Sequence, residues 1–209
     1  MSPAHIARIE WARLTGNRPR AAGCNARLGA HGRGVSTPIA RITLDDRRSG
    51  FGISWLQRPQ AAELIGQPLP DPLLPALRAD VAWRIVEYPL LDLAGHLASQ
   101  PVHALVSDKE AASQPLRVRC YDPSLYLDDL HLDDDGAAAD LIAAEAAEGW
   151  ALGHRAFKLK VGRGALHMSL EQGTRRDVRV IQAVRAVIGP EAPLMIDANN
   201  GYNLNLARR

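Results

Sequence analysis

The stretch Phe157-Lys158-Leu159-Lys160-Val161, followed a helix later by Leu194-Met195-Ile196-Asp197-Ala198-Asn199, decides how this chain folds. Both segments read as strands. Residues two apart on a strand share a face, so Phe157, Leu159 and Val161 point one way and both lysines the other. By the same parity Ile196 and Ala198 share the helix-facing side, and Met195, Asp197 and Asn199 the opposite one. Between them Thr174 to Ile188 reads as a helix. Thr174 and Asp177 resemble a capping box, Val178, Ile181 and Val184 or Ile188 form an apolar stripe, and Gly189-Pro190 stops it. Upstream, Leu116 to Tyr121 reads as a strand and Ala137 to Glu148 as an alanine-rich helix ended by Gly149. The order β-α-β-α-β is the pattern of a parallel sheet.

The N-terminal part has a different grain. His5 to Leu14, Ile39 to Leu44 and Phe51 to Leu56 alternate apolar and polar residues, which predicts an antiparallel meander with one buried face. Gly16 to Ser36, rich in Gly, Ala and Arg, lacks that periodicity and reads as a mobile loop. After Pro59 the pattern turns helical. It is interrupted at Pro68 to Pro75, and the longest helix is expected at Val81 to Leu97, kinked or broken by Pro89. Ser107 to Pro115 reads as a linker.

With 209 residues, 46% of them hydrophobic and 23% charged, the chain has the composition of a globular protein of one or two domains. A formal net charge of +2 implies no field that would recruit nucleic acid or an anionic membrane. No stretch approaches the ~18 apolar residues of a membrane span, and Met1 to Arg20 lacks a secretory apolar run, so a cytoplasmic protein is expected. Cys24 and Cys120 have no metal-type spacing and read as reduced, incidental thiols. The basic residues are nearly all arginine: only Lys109, Lys158 and Lys160 are lysine.

That bias gives the paired lysines weight. In an α/β barrel they would point inward near the C-terminal end of their strand, where such folds place active sites. Arginine keeps its proton, whereas a lysine beside another cation can lose one and act as a base. A solvated strand end is the plainer explanation of an isolated K-x-K. Asp197 ends the next strand, a natural position for a carboxylate ligand of Mg²⁺; equally, Asp197 or Asn199 could cap the helix that starts after Asn203. The segment Gly162 to Gly173, with His167, lies at the same edge and would line a pocket there, although a loop histidine commonly has no chemistry. Asp128-Asp129 and Asp133 to Asp135 lack the glycine and terminal Glu of a calcium loop, and read as a solvated turn and helix N-terminus.

Taken together, Lys158-Leu159-Lys160 and Met195-Ile196-Asp197-Ala198-Asn199 resemble the mandelate racemase and muconate lactonizing enzyme branch of the enolase superfamily. Gly50-Phe51-Gly52 and Leu91-Asp92-Leu93-Ala94-Gly95 with Gln100-Pro101-Val102 are similar to that family's capping domain. The resemblance implies an α+β N-terminal capping domain at residues 1–115 and, at 116–209, the first β/α units of a TIM-type α/β barrel. A barrel of that kind takes ~250 residues, so the chain is expected to be C-terminally truncated.

The same resemblance implies removal of a proton α to a carboxylate, with Mg²⁺ stabilising the enediolate. The enzyme would be a lyase (acid-sugar dehydratase) or an isomerase (racemase, epimerase or cycloisomerase), taking a small carboxylate or acid-sugar substrate, with a homo-oligomeric full-length form. Lys160 would be the base. Lys158 would lower its pKa and lie near the substrate carboxylate, Asp197 would be a metal ligand, and Asn199 a neighbouring polar contact. The Gly16 to Ser36 loop would fold over the barrel mouth, bringing Arg27, His31 and Arg33 toward substrate. The family's two further carboxylate ligands and its second acid or base have no counterpart in the chain, so the fragment alone is expected to be inactive. Two rival readings remain: a Schiff-base lysine in an aldolase-type barrel, and a non-catalytic remnant or interaction module.

Overall fold

A computed structural model of the protein describes residues 4–70, 73, 80–107 and 117–208. Most of the expected linker at 107–115, the boundary at 115, Leu116 and part of Pro68 to Pro75 lie outside the described residues. The chain divides into two compact units, Met1–Gly16 with Val35–Arg117, and Asn17–Gly34 with Val118–Arg209.

In the first unit, strands β1 (Ile6–Ala22), β2 (Gly32–Leu44) and β3 (Ser49–Ile53) form one sheet in the order β1-β2-β3. β2 and β3 are antiparallel, with Ala40 opposite Gly52 and Ile42 opposite Gly50. The buried face of the meander carries Ile6, Ile9, Ile42 and Leu44, which meet Leu90 and Leu93 of helix α3 (Glu87–Ala98). Two glycines make that approach possible. A Cβ at Gly50 would lie 2.3 Å from the Pro89 carbonyl oxygen, and one at Gly52 2.6 Å from Tyr88 Cβ. Among the described residues the short helices α1 (Arg58–Leu64), α2 (Val81–Arg84) and α4 (Val102–Val106) also belong to this unit. Pro89 does break the expected long helix: α2 ends at Arg84 and α3 begins at Glu87. Pro89 thus falls in the first turn of α3, where its missing N–H has no intrahelical partner to lose.

One expectation is overturned here. Most of Gly16 to Ser36 is strand, because β1 runs to Ala22 and β2 starts at Gly32, leaving Gly23 to His31 as the connecting tip. Both faces of this outer hairpin are largely polar and exposed, so no alternation marks it in the sequence. Backbone pairing and arginines reaching across hold it: Arg18 Nη1 donates to the Gly34 carbonyl at 2.8 Å and Arg33 Nη2 to the Pro19 carbonyl at 2.9 Å.

In the second unit, β4 (Asp122–Leu125), β5 (Phe157–Lys160) and β6 (Leu194–Asp197) form a parallel sheet in that order. Helices α5 (Asp135–Ala151) and α6 (Leu170–Ile188) pack against it, and the short α7 (Leu204–Ala207) follows β6. The core gathers Leu125, Ile142, Phe157, Leu159, Val180 and Val184. Several boundaries move. The first strand is Asp122–Leu125, not Leu116 to Tyr121. α6 starts at Leu170 with Ser169 as its cap, whose side chain accepts from the Gln172 amide, so Thr174 and Asp177 form no capping box. Val178 is exposed, and the buried stripe is Val180, Val184 and Ile188. Ile196, expected to be covered, is 60% exposed beside α6.

The acidic run also departs from a solvated turn. Asp134 caps α5 as expected, accepting from the Ala137 amide. Asp129, however, is fully buried against Arg163, which is itself fully buried. Arg163 Nε donates to Asp129 Oδ2 at 2.9 Å and Nη1 to Asp177 Oδ1 at 2.5 Å. The other Asp177 oxygen accepts from the Gly162 amide at 2.8 Å and the Tyr202 hydroxyl at 3.2 Å. Among the described residues no helix is long and apolar enough to cross a membrane.

Removing one member of a buried ion network leaves its partners uncompensated, at a cost of about 3–5 kcal/mol. Arg163→Leu is therefore expected to lower unfolding stability by that amount in urea titrations. The exposed Val178→Ala should stay within about 0.5 kcal/mol of the parent.

Candidate functional site

The two strands that carry the chemistry are registered residue to residue. Lys158 pairs with Met195 and Lys160 with Asp197 across the parallel β5–β6 ladder. Lys160 and Asp197 are each the last residue of their strand, so both project from the C-terminal edge of the sheet. Phe157 and Leu159 are fully buried on the opposite, helix-facing side, as the two-residue period requires.

The four expected site residues of these strands meet. Asp197 Oδ2 lies 2.8 Å from Lys158 Nζ and 2.8 Å from Lys160 Nζ. Lys160 Nζ also donates to Asn199 Oδ1 at 2.8 Å, and the Asn199 amide donates to Asp197 Oδ1 at 2.8 Å. Asn199 and Asn200 adopt φ of 45° and 61°. This left-handed turn, which Asn tolerates better than most side-chain-bearing residues, folds the Asn199 side chain back onto Lys160. Asn199 is thus a partner of the lysine, and Asn203, not Asp197 or Asn199, caps α7.

Hydrogen bonds from Lys158 and then Lys160 hold the Asp197 carboxyl well below the usual carboxylate range. The same contact raises the Lys158 ammonium above its ordinary value. In this arrangement Lys158 is firmly protonated.

Aromatic rings border the cluster. Lys160 Nζ lies 5.6 Å from the centre of the Tyr126 ring, and Lys158 Nζ 5.8 Å from that of Tyr121. Neither tyrosine stands out in the sequence; they flank β4, which begins several residues later than the local pattern predicts. His31 meets Tyr126 edge-on, with centroids 5.4 Å apart, and so touches the ring that borders Lys160. Arg27 is exposed, its amide held by Asn25 Oδ1 at 3.0 Å, and Arg33 is occupied across the hairpin. His167 is tied elsewhere: its Nε2 sits 2.8 Å from the Asn25 carbonyl oxygen, a contact in which the ring N–H donates. That bond anchors the loop after β5 to the hairpin tip.

A Mg²⁺ ion takes about six oxygen ligands in near-octahedral geometry. Asp197 is a suitable oxygen donor, but both its oxygens are engaged by lysine and amide donors. Among the described residues no group of three His, Cys, Asp or Glu side chains could hold a metal ion. These residues supply one ligand and do not by themselves fit a Mg²⁺ site.

Comparison with known proteins accords with this geometry. Residues 141–209 match the family model described as enolase C-terminal domain-like. Galacturonate dehydratase from Geobacillus sp., solved with D-galacturonate and 5-keto-4-deoxy-D-galacturonate, is 45% identical over 100% of this chain and 54% of its own, with a TM-score of 0.82. Both the family-model match and the similar solved structures are of the enolase superfamily, the latter of its mandelate racemase and muconate lactonizing enzyme type. A mandelate racemase/muconate lactonizing protein from Geobacillus sp., solved with magnesium and tartrate, is 43% identical over 100% of this chain and 54% of its own, again with a TM-score of 0.82. D-galactarolactone cycloisomerase from Agrobacterium fabrum is 46% identical over 65 residues, 31% of this chain and 15% of that protein. The chain spans about half the length of the solved structures it matches.

Because the folded Asp197 carboxyl titrates below the unfolded one, its ion pairs contribute fully above about pH 4 and are lost as acid protonates it. With three lysines in the chain, ¹³C-lysine NMR can follow this directly. On strong acidification the Lys158 and Lys160 side-chain signals are expected to move together as Asp197 is protonated, and Asp197→Asn should move both at neutral pH while leaving Lys109 in place.

Proposed function

We propose that this chain carries the capping domain, residues 1–115, and the first β/α units, residues 116–209, of a Mg²⁺-dependent acid-sugar dehydratase. The observation that carries this reading is the convergence of Lys158, Lys160 and Asp197 at one sheet edge, in a chain 45% identical to a galacturonate dehydratase. The substrate and product in that relative's structure define the bond changes such chemistry needs. In galacturonate the carbon α to the carboxylate is C5. Loss of the C5 proton and the C4 hydroxyl leaves an enol, which becomes the 5-keto-4-deoxy acid; the sum is loss of one water.

In this reading Lys160 accepts the C5 proton. To act as a base Lys160 must first give up one proton to solvent: the neutral amine keeps two N–H bonds, enough to donate to Asp197 and Asn199, and offers its lone pair to the substrate. Lys158, held protonated, faces the substrate carboxylate and offsets the negative charge that grows on it as the proton departs. Arginine in place of Lys160 could not serve, because it keeps its proton at any working pH. Asp197 would be the ligand this chain contributes to a Mg²⁺ ion, whose charge would stabilise the developing anion, with the other ligands coming from the rest of the barrel. His31, across the Tyr126 ring, and Arg27 and Arg33 on the hairpin are proposed as substrate-facing residues of lesser weight. Racemisation, epimerisation or cycloisomerisation would begin with the same proton removal and differ in the groups that act afterwards.

A chimera joining this chain to the remaining barrel of the Geobacillus dehydratase tests the base. It should exchange the C5 proton of galacturonate with D₂O, and Lys160→Ala should abolish the exchange; exchange at the parent rate in that variant would refute the assignment. The 209-residue chain by itself is expected to show no exchange. Titration calorimetry on it should likewise detect no stoichiometric Mg²⁺ binding below millimolar concentrations, whereas tight binding would mean that these residues suffice for a metal site.

A further inference from the structure

Away from the lysine cluster, the second unit buries a second concentration of charge. Arg20 of β1 reaches two carboxylates at once. Its Nη1 lies 2.9 Å from Asp128 Oδ2 and 2.5 Å from Glu145 Oε1, and its Nη2 donates to the Ser124 carbonyl at 3.1 Å and hydroxyl at 3.0 Å. Both carboxylate side chains are only 11% exposed. Two anions and one cation leave an unbalanced negative charge if both acids are ionised. The remaining oxygens, Asp128 Oδ1 and Glu145 Oε2, are buried and have no hydrogen-bond partner. Buried polar atoms are rarely left unpaired, and two carboxylates that meet away from water are satisfied by a single proton held between them.

We propose that Asp128 and Glu145 share one proton, that the resulting charge-balanced pair clamps Arg20, and that this clamp positions the hairpin tip against the strand ends in a pH-dependent way. The groups facing the pair are Arg20 from β1, the Ser124 hydroxyl from β4, the Gly23 amide from the tip, and His131, whose Nδ1 lies 3.0 Å from the Asp128 carbonyl oxygen. Arg20 is the cation that contacts both acids directly. Burial, reinforced by the Asp128 charge, pushes the Glu145 carboxyl up to about 8. Burial also raises Asp128, against the pull of Glu145, Arg20 and Gly23.

The clamp bears on the neighbourhood of Lys160 because of what the same hairpin touches. Three residues beyond Arg20, a side chain at Gly23 would run into Asp128, its Cβ only 1.8 Å from Oδ1. The Cys24 carbonyl then accepts from the Leu127 amide at 3.0 Å, and the Asn25 carbonyl from His167 at 2.8 Å. Ala26 is fully buried against Gly162 and Gly201, the turns that follow β5 and β6. Arg20, Asp128 and Glu145 are positioning residues, and the inference stands without any assumption about the reaction.

The sign follows from the direction of the shift. A carboxyl titrating higher in the folded than in the unfolded chain contributes stability that is complete below the unfolded value, near pH 4.5, and is lost as pH rises toward 8. Glu145→Gln keeps the shape, donates an amide N–H to Asp128 and cannot ionise. Trypsin cleavage after Arg27 and Arg33, measured at pH 6.5 and pH 9 in the 209-residue chain, reads attachment of the tip, with Glu145→Gln at each pH as the reference for the protease's own pH dependence. Cleavage of the parent relative to Glu145→Gln should rise severalfold between pH 6.5 and pH 9. A ¹³C-carboxyl titration of Glu145 should show a midpoint near pH 8. Identical cleavage ratios at both pH values, or a midpoint in the ordinary carboxylate range, would overturn the proposal. A Glu145→Gln chain that does not fold leaves the carboxyl titration of the parent to decide it.

Discussion

The second unit is organised around one guanidinium removed from water. Arg163 is fully buried, and a charge in that position is tolerated only when every donor is matched and the opposing charges are near. Its fork meets Asp129 on one side and Asp177 on the other, while Asp177 also accepts from Gly162 and Tyr202. Four pieces of chain are thereby fixed to one another: the turn after β4, the turn after β5, α6 and the segment after β6. Arg176 adds to this, donating to the Leu132 and Asp133 carbonyls at 2.7 and 2.8 Å. Lys160 and Asp197 end the two strands that enter these turns, so the alignment of the cluster is inherited from the buried network.

What could be read from the sequence was whatever depends on local period. Parity put Lys158 and Lys160 on one face, and the structure has them so; Asn199, which parity put beside Asp197, lies beyond the end of β6 and reaches Lys160 through a left-handed turn. The register that sets Lys160 directly beside Asp197 is a relation between strands, and no local pattern reports it. Elsewhere local signals pointed the wrong way. Pro123 argues against a strand, yet β4 contains it; a proline is compatible with an edge strand, where its missing donor has no ladder partner to fail. Gly173 reads as a place where a helix would not yet have begun. In α6 it is an interior residue, required because a Cβ there would lie 2.1 Å from the Gly164 amide nitrogen. Arg163 could not be distinguished by composition among so many surface arginines, and only its partners, far apart in sequence, reveal its burial.

The cluster itself has a definite electrostatic character. One carboxylate oxygen serves two ammonium groups, leaving the cluster with net positive charge at an open sheet edge. Such an arrangement suits an anionic ligand and disfavours a second cation until Asp197 is released from the amines. The lysine-to-carboxylate contacts and any ligation by Asp197 therefore compete for the same oxygens. That competition is a physical reason for two lysines in place of one: with Lys158 retaining its proton, Lys160 can change partners without leaving Asp197 unpaired.

The hairpin shows how a segment without a core of its own is given a fixed place. Its strands expose both faces, so burial of apolar area along its length contributes little to orienting it. Its order is concentrated at the tip, where contacts are close and polar. Ala26 fits because Gly162 and Gly201 carry no side chain: a Cβ at Gly201 would fall 2.6 Å from that of Ala26, and one at Gly162 3.0 Å away. Gly162 also needs its left-handed φ of 100°, and its amide is bound to Asp177. A single glycine turn thus joins the buried arginine network, the end of the lysine-bearing strand and the seat of the hairpin, so a shift in any one of the three is transmitted to the other two through that backbone.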